Sequence, residues 1–281
     1  MTKATTLLQC GDRTLDLSQP QLMGILNVTP DSFSDGGRHQ ALDRAIAQAE
    51  QMVSEGATII DVGGESTRPG AAAVSIDEEL KRTIPVISEL ATRLDVVISI
   101  DTSKTEVMRQ AIDSGVGLIN DVRALQAPGA LQVAASGNTA ICLMHMQGQP
   151  QTMQKAPHYE NLLIQINAFF AERISACEQA GIERNRLLLD PGFGFGKSLD
   201  HNYQLLANLT QLRGHQLPLL IGLSRKSMIG QLLDRTVSER LVGSVVGALL
   251  AAQQGAEILR VHDVQATADA IKVWQQYQCF I

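Results

Sequence analysis

Polar and charged side chains recur directly after short apolar runs. Asp101, Asn120 and Asp190 each follow such a run. The last run contains Arg260 and is followed by His262. An Asp or Asn in this position often caps the next helix. Repetition along the chain favours a second interpretation, since a buried carboxylate or amide is costly unless something satisfies it. The pattern predicts a pocket whose ligand presents hydrogen-bond donors.

A second group of residues could hold an anion. Arg260 and His262 lie two positions apart on one predicted strand, so both side chains point to the same side. With the segment 224–227, Ser-Arg-Lys-Ser, and the backbone donors of a short predicted helix over Ser227–Leu233, they could form a basic pocket. For Arg225, a surface ion pair is an equally good interpretation.

A glycine-rich string, GFGFGKS, occupies residues 192–198. A nucleotide-binding P-loop requires a glycine five positions before its Gly-Lys pair, and Pro191 stands there. The dinucleotide spacing GxGxxG is also absent. These glycines therefore indicate a close approach of backbone or ligand.

Eight apolar runs, rich in Val, Ile and Leu, alternate with stretches of helical periodicity. Such runs are typical of parallel strands covered on both faces. Eight βα units predict a (β/α)8 TIM barrel of the α/β class, whose reactive groups lie at the carboxyl ends of the strands. A doubly wound open sheet is the alternative, since strand order cannot be deduced from sequence. The predicted strands are Leu22–Val28, Thr58–Val62, Val96–Ile100, Val116–Ile119, Ala140–Met144, Leu187–Leu189, Leu217–Gly222 and Ile258–Val261.

The intervening helices and the N-terminus complete the predicted architecture. Thr5–Leu17, with a Gly-Asp turn, indicates an N-terminal β-hairpin within residues 1–19 that closes the bottom of the barrel. Residues 1–281 are expected to form a single domain. The predicted helices are Ala41–Glu55, Ile76–Leu94, Lys104–Ser114, Gly129–Ser136, Tyr159–Ala180, Asn202–Leu212, Ser238–Gln254 and Val264–Tyr277.

Composition narrows the class of protein. Hydrophobic residues make up 44% and charged residues 19% of 281, which suits a large core. A net charge of −6 argues against nucleic acid or an anionic membrane as partner. There is no signal-peptide pattern or membrane-length apolar segment, so a cytoplasmic location is expected. The four cysteines form no CxxC pair and are expected to be reduced and mostly buried.

Seven motifs in fixed order resemble the bacterial dihydropteroate synthases of folate biosynthesis. The resemblance runs from about Leu22 to Ala266, and the motifs together are highly specific. They are NVTPDSFSDGG, GGESTRPGA, IDTSK, NDV, DPGFGFGKS, GLSRKSMIG and RVHDV.

The resemblance implies a homodimeric barrel enzyme with two small-molecule substrates. It condenses 6-hydroxymethyl-7,8-dihydropterin diphosphate with p-aminobenzoate to give 7,8-dihydropteroate and diphosphate, with Mg2+ accompanying the diphosphate. Asp190 would accept a forked pair of pterin N–H donors, Asp101 and Asn120 would take the other edge positions, and Lys226 would donate to the ring.

The resemblance also implies roles for residues outside the pterin pocket. Asn27 would contact the magnesium–diphosphate unit, and Thr67, Arg68, Arg260 and His262 would hold diphosphate oxygens. Sulfonamides would compete for the p-aminobenzoate site. The residues implied there are Phe33, Thr67, Pro69, Phe195, Lys226 and Ser227.

A dissociative mechanism is the hypothesis for catalysis. Diphosphate would leave first, aided by magnesium, Arg260 and His262, and Asp101 would stabilise the methylene cation before the amine attacks. Two rivals share the fold: a methyltetrahydrofolate-binding methyltransferase domain and a non-catalytic pterin-binding protein. The basic residues argue against the first, and intact Asp31, Arg68 and Lys226 argue against the second.

Overall fold

Eight parallel strands and the helices between them form a barrel. The computed structural model describes residues 7–28, 37–66, 73–148, 153 and 157–280, and for 37–39 it describes the backbone alone. The strands, numbered after the two of the hairpin, are β3 (Gln21–Asn27), β4 (Ile59–Gly63), β5 (Val97–Asp101), β6 (Leu118–Asp121), β7 (Ala140–Met144), β8 (Leu187–Asp190), β9 (Leu220–Ile221) and β10 (Ile258–Val261).

Strand order distinguishes the barrel from the open sheet. The order is β8-β7-β6-β5-β4-β3-β10-β9, with all neighbours parallel. A parallel bridge between Leu189 and Leu219 joins the two ends, and the Leu189 N–H donates to the Pro218 carbonyl at 2.9 Å. The ring closes, so the predicted (β/α)8 barrel is confirmed and the doubly wound alternative was wrong.

The N-terminal hairpin closes one end of the barrel, as predicted. Its antiparallel strands β1 (Leu7–Cys10) and β2 (Arg13–Asp16) flank a turn at residues 11–12. Its buried side chains, among them Leu8 and Leu15, form one cluster with inward-facing strand residues such as Ile59 and Val97. This burial of apolar surface fills the bottom of the barrel and leaves the carboxyl ends of the strands for polar groups.

The barrel wall separates two cores because side chains alternate along each strand. Ile60, Val62 and Ile100 belong to the larger cluster between the strands and the helices. Ile59, Val97 and Ile258 belong to the smaller cluster inside the barrel. Burial on both faces explains why these strands were recognisable as nearly continuous apolar runs.

The helices follow the predicted order with shifted ends. They are α1 (Gly37–Ser54), α2 (Ile76–Arg93), α3 (Thr105–Asp113), α4 (Ala130–Ala135), α5 (Leu162–Gln179), α6 (Leu199–Ala207), α7 (Ser227–Leu233), α8 (Leu241–Gln253) and α9 (Val264–Gln278). The short helix over Ser227–Leu233 has the predicted bounds.

Capping explains two of the shifts. α6 begins three residues before the predicted Asn202 because Ser198 caps it, accepting from the His201 N–H at 3.1 Å in a capping box. α8 begins after the predicted Ser238 because Thr236 and Glu239 form a capping box around a separate 3-10 turn, Val237–Glu239.

All four cysteines are free thiols. None of the four cysteines is in a disulfide; Cys10, Cys142 and Cys177 are buried and Cys279 is exposed, as expected of reduced, mostly buried thiols. No helix within the described ranges is long and apolar enough to cross a membrane.

Candidate active site

The inward faces of the strands change from apolar to polar toward their carboxyl ends. Two positions after Ile59, Val97 and Ile258 of the inner cluster come Asp61, Ser99 and Arg260. Because a step of two residues stays on one face of a strand, these side chains share the barrel interior. The inward-facing residues are therefore apolar in the lower half of the barrel and polar in the upper half.

Asp61 is the centre of this polar layer. It is fully buried and receives hydrogen bonds from Ser99 Oγ at 2.5 Å, Asn120 Nδ2 at 3.1 Å and Arg260 Nε at 2.6 Å. Neighbouring strands bring these groups together: Asp61 pairs with Ser99 between β4 and β5. The network holds both Asn120 and Arg260 in fixed orientations.

Arg260 bridges two buried carboxylates. Its Nη2 donates to Asp101 Oδ2 at 2.8 Å while its Nε holds Asp61. Burial alone would lower the pKa of Arg260, but the charges of Asp61 and Asp101 outweigh burial and raise it. Burial raises the pKa of Asp101 to about 7, against the opposing effect of Arg260 and with the support of Asp61.

The amide of Asn120 is half satisfied. Its Nδ2 donates to Asp61, so the carbonyl oxygen is the acceptor of the amide that remains for another donor. This Oδ1 is buried and has no hydrogen-bond partner among the described residues. An unpaired buried acceptor costs about 1–3 kcal/mol, so the position is suited to a ligand that donates a hydrogen bond.

Asp190 ends β8 as a buried carboxylate close to cationic groups. Its Oδ1 accepts the Gly192 N–H at 2.7 Å. Burial raises its pKa, whereas Lys226 and Arg260 oppose that shift. Burial in turn lowers the pKa of Lys226 to about 8, with Asp190 opposing. Their mutual influence shows that the carboxylate and the amine belong to one electrostatic site.

Above this layer is a cavity of about 310 Å³, which is within the usual size of a small-molecule site. Asn120 and Asp190 are not on its wall but are buried in the strands beside it. Its lining includes seven of the predicted site residues: Asn27, Asp101, Phe195, Lys226, Ser227, Arg260 and His262.

The loop between β8 and α6 supplies one wall of the cavity. Lys226 Nζ donates to the Phe193 carbonyl at 2.6 Å and lies 4.7 Å from the centre of the Phe195 ring. An ammonium over an aromatic face is a favourable cation–π contact. Lys226 thus links this loop to the carboxylate of Asp190.

The basic pocket predicted from sequence is partly neutralised. Arg225 forms a two-point ion pair with Asp263, so the ion-pair interpretation for Arg225 is confirmed. Arg260 is balanced by two carboxylates. His262 Nδ1 lies 3.1 Å from Ser224 Oγ. A ligand anion would therefore meet oriented donors more than excess positive charge.

Sequence reasoning missed Asp61, although its position carried a signal. Asp61 lies inside an apolar run, and alternation places it on the inner face with Ile59. An acidic residue on that face could have been recognised as a polar centre. Five predicted site residues lie outside the described residues: Asp31, Phe33, Thr67, Arg68 and Pro69.

Glu65 was also missed as part of the cavity wall. It accepts the Val74 N–H at 2.9 Å and forms an ion pair with Lys104, which also pairs with the fully buried Glu79. This hydrogen bond joins two residues that are nine positions apart in the sequence. No local sequence motif predicted this contact.

The metal-binding potential of the site depends on oxygen groups. Within the described ranges there is no group of three or more His, Cys, Asp and Glu side chains that could hold a metal ion. Asn27 Oδ1 and Asp101 Oδ2 do lie on the same side of Gly63, 3.7 and 3.9 Å from where a Cβ would stand. Amide and carboxylate oxygens are the ligands that Mg2+ prefers.

Comparisons with known proteins identify the family of this chain. The family model of the pterin binding enzymes matches residues 23–262. Dihydropteroate synthase of Escherichia coli K12 is 59% identical over 260 residues, 92% of each chain, and that of Haemophilus influenzae is 56% identical over 268 residues, 95% of this chain and 98% of the relative.

A solved relative shows the same architecture. Yersinia pestis dihydropteroate synthase, in a complex with a sulfonamide drug, superposes with a TM-score of 0.93 at 57% identity, covering 97% of this chain and 99% of that one. The chain belongs to the dihydropteroate synthases, within the family of pterin-binding enzymes.

Proposed function

We propose that this chain condenses 6-hydroxymethyl-7,8-dihydropterin diphosphate with p-aminobenzoate, releasing diphosphate and 7,8-dihydropteroate. As a dihydropteroate synthase it is a transferase. The observation that carries the proposal is the set of buried acceptors at the barrel mouth, above all the unpaired Asn120 Oδ1 beside the cavity. A flat ring with N–H donors along its edge would satisfy them.

The pterin is proposed to bind deepest, among the strand ends. Asp190 accepts a forked pair of N–H donors from the aminopyrimidinone edge, because each carboxylate oxygen has two acceptor sites and the Gly192 N–H uses one. Asn120 Oδ1 and Asp101 accept from the remaining edge. Lys226 donates to the ring oxygen or nitrogen, which its buried position beside Asp190 allows.

The diphosphate is proposed to lie at the outer end of the pocket. Arg260 has five N–H donors, and its bonds to Asp61 and Asp101 leave others for diphosphate oxygens. His262 lines the same cavity. Thr67 and Arg68, proposed from the family motif, complete the set.

Magnesium is proposed as the companion of the diphosphate. The oxygens of Asn27 and Asp101 near Gly63 fit a hard divalent cation, and Asn27 is the residue proposed to hold it. Bound there, the ion would neutralise charge on the leaving diphosphate.

The p-aminobenzoate is proposed to lie over the loop between β8 and α6. Phe195 and the stem of Lys226 pack against its ring, and the Ser227 hydroxyl donates to its carboxylate; all three line the cavity. Phe33, Thr67 and Pro69 are the further contacts proposed from the motifs. Solved relatives were crystallised with 4-aminobenzoic acid and with 7,8-dihydropteroate, both in the enzyme of Xanthomonas albilineans.

The proposed mechanism is dissociative. Arg260 and His262 stabilise the departing diphosphate, and the negative charge of Asp101 stabilises the methylene cation left on the pterin. The amine of p-aminobenzoate then attacks the methylene carbon to form the C–N bond, and its proton passes to the released diphosphate or to water. Its lone pair is free at neutral pH, so the side chains of the site act by position and charge. Phe33 and Asp31 are proposed to contribute from the loop after β3.

The mechanism predicts a pH profile with two limbs. Below about pH 7, Asp101 is protonated, so kcat/KM should rise as pH increases through 7; above about 8, Lys226 loses its proton and kcat/KM should fall. Initial rates from pH 5.5 to 9.5 test this. Asp101→Asn should remove the acid limb, and an unchanged limb in that variant would assign it to the substrate or another group.

The same shift has a defined effect on stability. Folded Asp101 binds its proton more tightly than it does at the ordinary pKa of 3.8, so this contribution is complete below that value. It is lost as pH rises through about 7. As pH rises through about 7, deprotonation of Asp101 should therefore raise kcat/KM and lower the free energy of unfolding.

The whole chain is proposed to act as one domain and to form a homodimer. The exposed residues Val242, Val246 and Leu250 form a stripe along α8, and Val273 and Tyr277 are exposed on neighbouring α9. An apolar surface of this kind is typical of an interface between identical subunits. Sedimentation equilibrium should give a mass twice that of one chain. The Val246→Glu variant should give the mass of a single chain.

The function is tested by incubating the purified chain with both substrates and Mg2+ and measuring 7,8-dihydropteroate by chromatography. Product should form only in the complete mixture. A parallel incubation with methyltetrahydrofolate and a thiol acceptor tests the methyltransferase rival, and methyl transfer without dihydropteroate would overturn the proposal.

A further inference from the structure

Lys197 is a buried lysine that forms no ion pair with a carboxylate among the described residues. Its side chain is 2% exposed, and its Nζ makes three contacts: the Gly192 carbonyl at 2.9 Å, the Phe195 carbonyl at 3.2 Å and His145 Nδ1 at 3.0 Å. Burial lowers the pKa of Lys197 to about 7, and in its protonated form the ammonium has three N–H donors, one for each contact. Lys197 also belongs to the DPGFGFGKS motif of residues 190–198.

His145 is set up to accept this hydrogen bond. Burial and the nearby Lys197 lower the pKa of His145 to about 2, so its ring is neutral. With Nδ1 as acceptor, the ring proton belongs on Nε2. Its ring also packs edge-on against Phe169, with centroids 5.0 Å apart, which fixes its orientation.

The carbonyls that Lys197 holds belong to the loop that carries the amine-binding wall. Between Gly192 and Phe195 lies Phe193, whose carbonyl accepts from Lys226 Nζ at 2.6 Å. Phe195 itself places its ring 4.7 Å from that same Nζ. Lys197 and Lys226 therefore hydrogen-bond to different carbonyls of the same segment.

The loop also lies against the backbone that follows β7. A Cβ on Gly192 would stand 1.9 Å from the His145 carbonyl oxygen, and one on Gly196 would stand 2.4 Å from that of Gln147. Both glycines have a positive φ, +70° and +65°. The chain can pass this closely only without side chains there, and Lys197 then ties the two segments together.

We propose that Lys197 is a positioning residue for the amine-binding half of the site: its hydrogen bonds to Gly192, Phe195 and His145 set the loop that places Phe195 and the Phe193 carbonyl against Lys226. The inference rests on the proposed function, since it assigns Phe195 and Lys226 to the p-aminobenzoate site. Lys197 acts through the loop and does not touch either substrate.

The proposal predicts a selective kinetic defect. Lys197→Met keeps an unbranched side chain that is one atom shorter and removes its hydrogen-bond donors. We expect the KM for p-aminobenzoate to rise about tenfold while the Kd for the dihydropterin diphosphate, measured by calorimetry without the amine, stays within threefold. The difference follows because Asp101, Asn120 and Asp190 are placed by strands. The loop touches this set through the Gly192 N–H, which donates to Asp190 without the Lys197 side chain.

Two further variants control the experiment. Lys81→Met removes an exposed lysine from α2 and should change neither constant. His145→Phe keeps the aromatic packing but takes one acceptor from Lys197, and should raise the KM for p-aminobenzoate in the same direction by a smaller factor. That variant keeps the test decisive if Lys197→Met does not fold.

The outcomes separate this inference from the proposed function. Folded variants with an unchanged KM for p-aminobenzoate, or with KM and pterin Kd weakened equally, would overturn the positioning role. Absence of dihydropteroate synthesis by the unmodified chain would instead overturn the proposed function.

Discussion

Arg260→Met should lower the free energy of unfolding by about 3–5 kcal/mol, the cost of leaving buried charges without their partner. Arg260 is the shared cation of Asp61 and Asp101, and its removal leaves two carboxylates facing each other in the barrel. Urea denaturation with circular dichroism measures the change. Dihydropteroate synthesis should also fall, since this guanidinium is proposed to hold the diphosphate.

The loss should depend on pH in a defined direction. Without Arg260, the pKa of Asp101 rises further above its ordinary value, so the variant loses stability as pH increases from 5 to 8. Arg93→Met is the matched control, because Arg93 pairs with Glu89 on the surface of α2 and its loss should cost less than about 1 kcal/mol. Equal effects of the two substitutions would contradict a structural role for the buried ion pairs of Arg260 with Asp61 and Asp101.

Asp190→Asn should weaken dihydropterin binding roughly 10- to 150-fold. The estimate corresponds to about 1.5–3 kcal/mol for hydrogen bonds to a charged group. The amide keeps the volume of the side chain and one acceptor oxygen, which can still receive the Gly192 N–H. Its NH2 group would then face the N–H donors of the pterin. Calorimetric titration with the dihydropterin diphosphate measures the change.

Asp113→Asn makes the same chemical change at an exposed position near the end of α3 and should leave binding unchanged. The KM for p-aminobenzoate should shift less than the pterin affinity in the Asp190 variant, because the amine is proposed to bind on the other side of Lys226. Pterin affinity within twofold of the unmodified chain would place the ring elsewhere.

The barrel could be predicted because its strands are recognisable in the sequence. Strands buried on both faces are nearly continuous in Val, Ile and Leu, so runs such as Val96–Ile100 are visible without any partner. The residues at their carboxyl ends follow directly, which is why Asp101, Asn120 and Asp190 could be selected. Closure of the ring depended on contacts such as Leu189 with Leu219, which are thirty residues apart and leave no local pattern.

Partnerships within the site were the part that sequence could not supply. Arg225 has a carboxylate partner in Asp263, 38 residues away, and Arg260 has one in Asp61, 199 residues away. From sequence, Arg225 and Arg260 predicted a basic pocket. In the folded chain, the carboxylates of Asp263 and Asp61 neutralise much of that charge. Lys197 illustrates the converse, because its partners are backbone carbonyls and a histidine ring that no motif identifies.

The most direct test of the account measures diphosphate and dihydropteroate in the same reaction, with dihydropterin diphosphate and Mg2+, with and without p-aminobenzoate. Both products should appear in equal amounts, and both should require the amine. Binding of the pterin without either product, under conditions in which a known dihydropteroate synthase turns over, would contradict it and favour a non-catalytic pterin-binding protein.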